Sequence, residues 1–206
     1  ADLYHSFGRL QANLLVEGFY TMLNNVFTLV RIGENEDGSI VYWERRNGSG
    51  ATVAGVNFEG KIGIPHRFEL QLGYTLQSSR YDTPERWSDQ LAPQRKMFRA
   101  PDHYGYLTSL FDITPRFKAS LFGTYTGSML VKHILSDGTN ETDLEQNTPS
   151  FWDMGIKLAY TFRIGKAVDL EVNTGVKNIF DAYQKDLDYG AFKDADYVYG
   201  PSLPRM

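Results

Sequence analysis

One feature of this sequence constrains the fold more than any other: apolar and polar residues alternate strictly over long stretches. Between positions 68 and 77 the even positions carry Phe, Leu, Leu, Tyr and Leu, and the odd positions carry Glu, Gln, Gly, Thr and Gln. The same alternation recurs at 10–21, 52–64, 117–129, 152–162 and 168–178. A period of two residues belongs to the β-strand, and the helical period of 3.6 fits none of these stretches. The sequence therefore predicts an all-β fold.

The connections between these predicted strands alternate in length. Tight connections are expected at 65–67, 114–116 and 163–167, and long polar ones at 79–102, 130–150 and 181–199. Pro84, Pro93 and Pro101 in the first long connection, and the turn sequence around Gly138 in the second, argue against strand interiors there. Short periplasmic turns and long extracellular loops are typical of a bacterial outer-membrane barrel.

The N-terminal third is less regular, because 10–32 and 40–64 are each too long for one ordinary strand. A turn is expected at 33–38, and the two glycines of 47–50 predict a bulge or bend. The chain begins with strand-like alternation and ends just after a Gly-Pro turn, where a further strand should start. We therefore expect about seven whole strands and a partial strand at each end.

Alternation alone does not separate a transmembrane barrel from a soluble β-sandwich. The predicted strands match the roughly 9–11 residues of a tilted bilayer crossing better than the roughly 5–6 of a soluble strand. Aromatic residues near predicted strand ends suit the interfacial girdles of a membrane barrel; they are Tyr4, Tyr20, Tyr74, Tyr104, Tyr125, Trp152, Tyr160 and Phe162. We predict an antiparallel transmembrane β-barrel segment, with a β-sandwich as the alternative.

The polar rows of the predicted strands carry charges of both signs, which a hydrated barrel interior tolerates. Their predicted lumen-facing members are Glu69, Gln71, Asp153, Lys157, Glu171 and Lys177. A slip of one residue in 152–162 would turn Lys157 towards lipid, at a cost of roughly 2–4 kcal/mol. The pattern therefore specifies which row faces the membrane.

Composition excludes several classes of function. The chain has no cysteine, which excludes a disulfide framework, a thiolate metal site and a cysteine nucleophile. Its 21 basic and 25 acidic residues offer no electrostatic footprint for nucleic acid. The four histidines are too scattered for a metal site, and no nucleophile elbow or phosphate-binding glycine motif is present. Asp186 and Asp188 resemble the start of a calcium loop without its later ligands. We predict no enzyme activity, no metal and no cofactor.

The last thirty residues carry a more specific signal. An asparagine–aromatic segment at 176–183, the Asp-Tyr-Gly sequence at 188–190 and the Tyr-Gly-Pro-Ser-Leu-Pro-Arg sequence at 199–205 together resemble the C-terminal end of TonB-dependent outer-membrane receptors. The stretch 10–23 resembles a mid-barrel strand of the same receptors, especially those of Bacteroidetes-type bacteria.

The resemblance implies that 1–206 is the C-terminal part of a 22-stranded receptor barrel, without the plug domain and the final strand. It implies a bacterial outer-membrane location and the uptake of a scarce, bulky solute such as a ferric siderophore, haem, cobalamin or an oligosaccharide. The implied partners are outer-membrane lipid and lipopolysaccharide, the plug domain and TonB system through the N-terminal part, a small-molecule solute and a surface lipoprotein.

The long loops would be the first part of such a receptor to meet a solute. Cations and flat aromatic rings suit an anionic or aromatic chelate, and the ligand-binding candidates are Arg80, Tyr81, Arg86, Trp87, Arg95, Arg99 and His133. The same side chains can instead pair with neighbouring loops or lipopolysaccharide. His66 and His133, taken singly, are expected to be solvated.

Two other functions stay open at this point. One is a self-contained small β-barrel or β-sandwich that serves as a structural protein or adhesin. The other is an outer-membrane hydrolase, which is disfavoured because no acid–base or nucleophile cluster recurs near the predicted strand tops.

Overall fold

The computed structural model describes residues 1–36 and 41–201, and its regular structure is entirely β. The strands are β1 Asp2–Phe7, β2 Leu10–Leu23, β3 Phe27–Glu34, β4 Val41–Asn47, β5 Ala51–Ile64, β6 Phe68–Glu85, β7 Gln94–Lys96, β8 His103–Thr114, β9 Phe117–Thr126, β10 Leu130–Ser136, β11 Glu141–Asn147, β12 Phe151–Ile164 and β13 Val168–Val176. Among the described residues, no helix is long and apolar enough to cross a membrane.

One antiparallel sheet carries the fold. Its strands lie in the order β1-β2-β5-β6-β8-β9-β12-β13, with β7 paired to β6 beyond this path, while β3–β4 and β10–β11 form separate hairpins. Seven strands of the path are long, and β1 has six residues against fourteen in β2. The predicted all-β fold with about seven long strands is confirmed, and the first strand is a short one. The partial strand expected at the C-terminus lies outside the described residues.

The two faces of this sheet differ as the alternation predicts. Residues directly opposite in an antiparallel pair share a face, so Leu72, Ile156 and Phe162 belong to one apolar face. Their exposed fractions are 54%, 41% and 48%. Within the described ranges no second layer covers this face; the packed cluster of buried apolar residues, centred on Met129 and Val131, lies in the long connections. A β-sandwich would bury the apolar face, so the structure favours the barrel wall.

The opposite face is polar, and strand register brings five of the six predicted lumen-facing residues onto it. Glu69 and Gln71 come from β6, Asp153 and Lys157 from β12, and Glu171 from β13. Lys177 follows the last residue of β13. Neighbouring side chains pair along this face. Lys61 and Glu69 form an ion pair at 2.9 Å, and the side-chain amide of Gln71 donates a hydrogen bond to the Glu59 carboxylate at 2.5 Å. That the face borders a lumen stays a prediction.

The N-terminal third is divided into shorter strands, as its length required. The stretch 10–32 breaks after Leu23, and 40–64 breaks at 48–50, where the bend predicted at 47–50 is confirmed. Strands β3 and β4 pair with each other outside the main sheet. Part of the turn expected at 33–38 lies outside the described residues.

The expectation that the first two long connections lack strands is wrong. Strand β6 continues through Pro84 to Glu85, and its register is irregular between Arg80 and Glu85, so Pro84 lies where the ladder is interrupted and needs no N–H. The connection 130–150 is largely the hairpin β10–β11. Its predicted turn is present, because Asp137 accepts the N–H groups of Thr139 and Asn140. Prolines and turn residues therefore marked the ends of these strands, not their absence.

Two of the predicted girdle aromatics lie on the wrong face for that role. Tyr4 is opposite Asn13, and Tyr104 is opposite Thr75 and Thr126, which places both on the polar face. In β8 Tyr104 and Tyr106 share a face with Thr108 and Leu110, and the other face carries Leu107 and Phe111. Both rows of the strand therefore contain apolar residues, and alternation alone does not tell which one faces the membrane. The remaining six aromatics lie on the apolar face as predicted.

Several glycines of the sheet lie directly opposite a large ring. The ring of Tyr106 covers Gly73, so that a Cβ at Gly73 would overlap it, and Phe122 covers Gly155 in the same way. A Cβ at Gly60 would instead meet nothing within 4 Å. Glycine at position 73 therefore makes room for an aromatic side chain on the polar face.

Gly73→Ala should lower the free energy of unfolding by about 1–3 kcal/mol, because the new methyl group overpacks against the Tyr106 ring. Gly60→Ala is the matched control and should change it by less than about 0.5 kcal/mol. Urea unfolding in detergent micelles measures both. Equal effects would contradict the ring-over-glycine packing.

Candidate solute-binding loops

The long connections all lie at one end of the sheet, because the strands they join are antiparallel neighbours. They are 24–36 with 41–50, 86–102 and 127–150; segment 177–201 follows β13 at the same end, whereas 8–9, 65–67, 115–116 and 165–167 form short turns at the other end. The predicted alternation of loop length is confirmed.

Connection 86–102 is bound to the hairpin β10–β11 through one half-buried lysine and one glutamate. The Lys132 ammonium lies 5.1 Å from the centre of the Trp87 ring and 4.9 Å from that of Phe98. Glu145 accepts the indole N–H of Trp87 at 2.9 Å and the amide of Gln94 at 3.0 Å. Burial lowers the pKa of Lys132, and the nearby Glu145 opposes that shift. The rings hold this cation by the attraction of their π faces.

Segment 177–201 is bound to the same hairpin from another side. The imidazole of His133 stacks on the Tyr197 ring at 3.5 Å with an angle of 6°, and its Nε2 lies 2.9 Å from Asp188 Oδ2. Arg99 donates to the carbonyls of Val198, at 2.6 Å, and of Asp196. Three long connections therefore form one interlocked unit, which we call the loop unit: 86–102, 127–150 and 177–201.

A carboxylate and two tyrosines form a polar network in the loop unit. Asp186 accepts the hydroxyl of Tyr199 at 2.5 Å and that of Tyr197 at 2.8 Å. Burial acts to raise the pKa of Asp186, but these two hydrogen bonds outweigh it and hold that pKa below its ordinary value. Burial, followed by the contact with Asp186, raises the pKa of Tyr197 to about 12 and raises that of Tyr199 as well. At neutral pH the network is one carboxylate bound by two neutral phenols.

Gln184 joins the two ends of segment 177–201 from a fully buried position. Its side-chain amide donates to the carbonyl of Tyr197 at 3.0 Å. Its side-chain oxygen accepts the N–H groups of Tyr199 at 2.9 Å and Gly200 at 3.4 Å. One side chain thus satisfies three backbone groups.

Three of the seven predicted ligand-binding residues are components of this interlocking. Trp87 and Arg99 make the contacts described above, and His133 is only 6% exposed. The expectation that His133 is solvated is therefore wrong, because segment 177–201 covers it. His66 is exposed in a short turn, as expected.

The other four candidates have different surroundings. Register places Arg80 on the apolar side of the sheet and Tyr81, half-buried, on the polar side. Arg95 is exposed and donates to the carbonyl of Asp82 at 2.9 Å. Arg86 is exposed at the end of β6 and has no partner among the described residues. The structure therefore leaves Arg86 and Tyr81 as the candidates best placed for a solute.

Sequence reasoning did not include several exposed aromatics near the loops among the ligand-binding candidates. Tyr104 and Tyr106 lie on the polar face near its long-loop end, where only strand register could place them. Tyr189, 83% exposed, and Phe192 line an open cavity of about 490 Å³ beside Asp137 and Lys193. The periodicity signal does not extend to segment 177–201, so no sequence signal placed these two rings at a cavity, although Tyr189 belongs to the Asp-Tyr-Gly sequence at 188–190.

Two further observations concern chemistry elsewhere on the sheet. Within residues 1–36 and 41–201, no group of three histidine or acidic side chains is arranged to hold a metal ion. An open depression of about 600 Å³ lies at the short-turn end, lined partly by Asn13, Lys61, Glu69 and Asp112 of the polar face. It is remote from the loop unit.

Among the solved structures that share this architecture are two TonB-dependent receptors. The ferric-catecholate import receptor Fiu from E. coli K12 is 23% identical, with a TM-score of 0.56 over 96% of this chain and 24% of its own chain. The copper transporter OprC is 14% identical, with a TM-score of 0.56 over 99% of this chain and 29% of its own. No family model and no curated protein matches the sequence.

The likeness to these receptors establishes the fold. The sheet has the architecture of a segment of a TonB-dependent receptor barrel, which confirms the predicted transmembrane β-barrel segment. The chain spans about a quarter of the length of the two receptors.

Proposed function

We propose that this chain is part of the wall and outer loops of a TonB-dependent receptor in a bacterial outer membrane, which binds and imports a scarce, bulky solute. One observation carries the proposal: a single sheet with an exposed apolar face, a polar face and all its long loops at one end matches receptor barrels over nearly the whole chain. Its role is binding and transport, without catalysis.

The proposed whole receptor contains a plug domain that packs against the polar face and contacts TonB. Support comes from the exposed charges of that face, including Asp153 and Lys157, and from the open depression at its short-turn end. A surface lipoprotein and lipopolysaccharide are further proposed partners on the outer side.

The proposed solute is an anionic or aromatic chelate: a ferric siderophore, haem or cobalamin, with an oligosaccharide as the uncharged alternative. Arg86 offers an exposed guanidinium without a partner among the described residues, and Tyr81, five positions earlier in the chain, offers a half-buried ring. A guanidinium binds an anionic oxygen through charge-assisted hydrogen bonds. The solutes named for Fiu and OprC are properties of those proteins.

Uptake by the complete receptor tests this proposal. Expressed in a Gram-negative host, it should accumulate at least one labelled ferric siderophore, haem, cobalamin or oligosaccharide, and only when TonB is present. Arg86→Ala should weaken binding of an anionic solute about tenfold or more. Lys166→Ala is the control: it removes a cation from a short turn at the other end of the sheet and should have no effect. TonB-independent uptake, or none of any solute, would contradict the proposal.

The alternative is a self-contained small barrel or sandwich that serves as a structural protein or adhesin. A closed barrel would pair β1 with β13, and in the described residues these two strands are the open ends of the sheet. The complete protein should fold only in detergent or lipid. Folding in plain buffer would favour the alternative.

A further inference from the structure

Arg99 lies where the three connections of the loop unit meet. Its backbone N–H donates to the carbonyl of Leu130, the first residue of the hairpin β10–β11, at 2.8 Å. Its guanidinium reaches segment 177–201, where it donates to the carbonyls of Val198, at 2.6 Å, and of Asp196. A change at this one side chain therefore affects how the other two connections are held.

The backbone of Arg99 is in the left-handed conformation, with a φ of +57°. A residue other than glycine adopts this conformation only where surrounding contacts hold it there. For Arg99 those contacts are the hydrogen bonds of its N–H group and of its guanidinium. Loss of the guanidinium bonds therefore removes part of what keeps the three connections together.

The positive charge of Arg99 has no carboxylate partner among the described residues, since both groups that accept from its guanidinium are neutral carbonyls. A second cation is close by. Burial lowers the pKa of Lys132, the carboxylate of Glu145 opposes that shift, and the charge of Arg99 lowers this pKa further. Arg99 is exposed. A dissolved anion can therefore reach a guanidinium whose present partners carry no charge.

We propose that Arg99 is an anion-responsive latch of the loop unit: anionic oxygens of the solute take over its guanidinium, and segment 177–201 is released. Charge-assisted hydrogen bonds are roughly twice as strong as those between neutral groups, and Arg binds phosphate or carboxylate through two parallel bonds. The carbonyls of Val198 and Asp196 then pass to water, because both residues are exposed. The proposal rests on the proposed function, since it takes the solute to be an anion that arrives at the long loops.

The latch acts on the part of segment 177–201 that covers His133. Tyr197, between the two residues whose carbonyls Arg99 holds, stacks on the His133 ring at 3.5 Å. Release of the two carbonyls should therefore loosen this stack. Coupling between two events is reciprocal, so that loosening the segment by another route should strengthen anion binding at Arg99.

Amide hydrogen exchange at Tyr197 and Val198 in the complete receptor in detergent tests the latch, with inorganic phosphate as the probe. Saturating phosphate should accelerate exchange about tenfold over sodium chloride of equal ionic strength. Arg99→Gln can still donate to a carbonyl but carries no charge, so phosphate should have no effect on it. Arg95→Gln is the matched control and should respond as the unmodified protein does. Arg95 is an exposed arginine of the same connection that also donates to a carbonyl, that of Asp82 at 2.9 Å.

The reciprocal effect is measured by calorimetric titration with phosphate. Gln184→Ala, which removes three hydrogen bonds of the same segment, should bind phosphate about tenfold more tightly, and Arg99→Gln should not bind it. If Arg99→Gln does not fold, Arg99→Lys takes its place: it keeps the charge without the planar fork, and its response should be several times weaker.

Three results would overturn the latch: unchanged exchange of the unmodified protein in phosphate, a response that persists in Arg99→Gln, or a response lost equally in Arg95→Gln. A purely structural Arg99 would give the first of these. Uptake is measured separately on the same protein. Absence of TonB-dependent uptake with the phosphate response intact counts against the proposed function, whereas uptake without the phosphate response counts against the latch.

Discussion

Ile156→Arg should lower the free energy of unfolding in lipid vesicles by about 2–4 kcal/mol. Ile156 is 41% exposed near the middle of β12 on the apolar face. If that face meets hydrocarbon, the guanidinium must leave water or drag water into the membrane. In a water-exposed sheet the same substitution would change little.

Asn173→Arg is the matched control. Asn173 lies on the neighbouring strand β13, exposed on the polar face, so its replacement should change the free energy of unfolding by less than about 0.5 kcal/mol. Urea titrations of both variants of the complete protein in vesicles measure the difference. Equal effects of the two substitutions would contradict the assignment of the apolar face to the membrane, and the proposed function depends on that assignment.

Much of the sheet could be predicted from the sequence because each face of a barrel wall meets a uniform environment. In β12 every second residue from Trp152 to Phe162 is apolar, which predicts the row that faces the membrane, and the register of the strand places that row on the apolar face. Prediction failed where both phases are apolar or aromatic, as in β8, because Tyr104 is assigned only by its cross-strand partners.

The loop unit was less predictable because its contacts join residues far apart in the chain. Trp87 meets Glu145, 58 residues away, and Arg99 meets Val198, 99 residues away. Residue type alone suggested that these cations and rings bind a solute, yet their side chains already contact other parts of the same chain. Arg86 is the exception, since its surroundings among the described residues leave its charge available.

The contacts within the loop unit also determine which side chains a solute can reach. His133, Lys132 and Trp87 are already surrounded by protein groups, so a solute reaches them only if segment 177–201 or connection 86–102 moves away. Accessible groups at the rim can bind first, and opening of the unit would follow at a free-energy cost set by its buried hydrogen bonds. Gln184 carries three of those bonds.

Gln184→Ala should lower the free energy needed to open segment 177–201 locally by about 3 kcal/mol. The substitution leaves two N–H groups and one carbonyl in a buried position without a hydrogen-bond partner. Amide hydrogen exchange at Tyr199 and Gly200 should then accelerate about a hundredfold, while exchange in β12 stays unchanged. Gln90→Ala is the matched control: its amide also joins two connections, to Glu141 and Asp143, but from an exposed position where water can replace it. Similar acceleration in both variants would show that burial of Gln184 does not hold the segment closed.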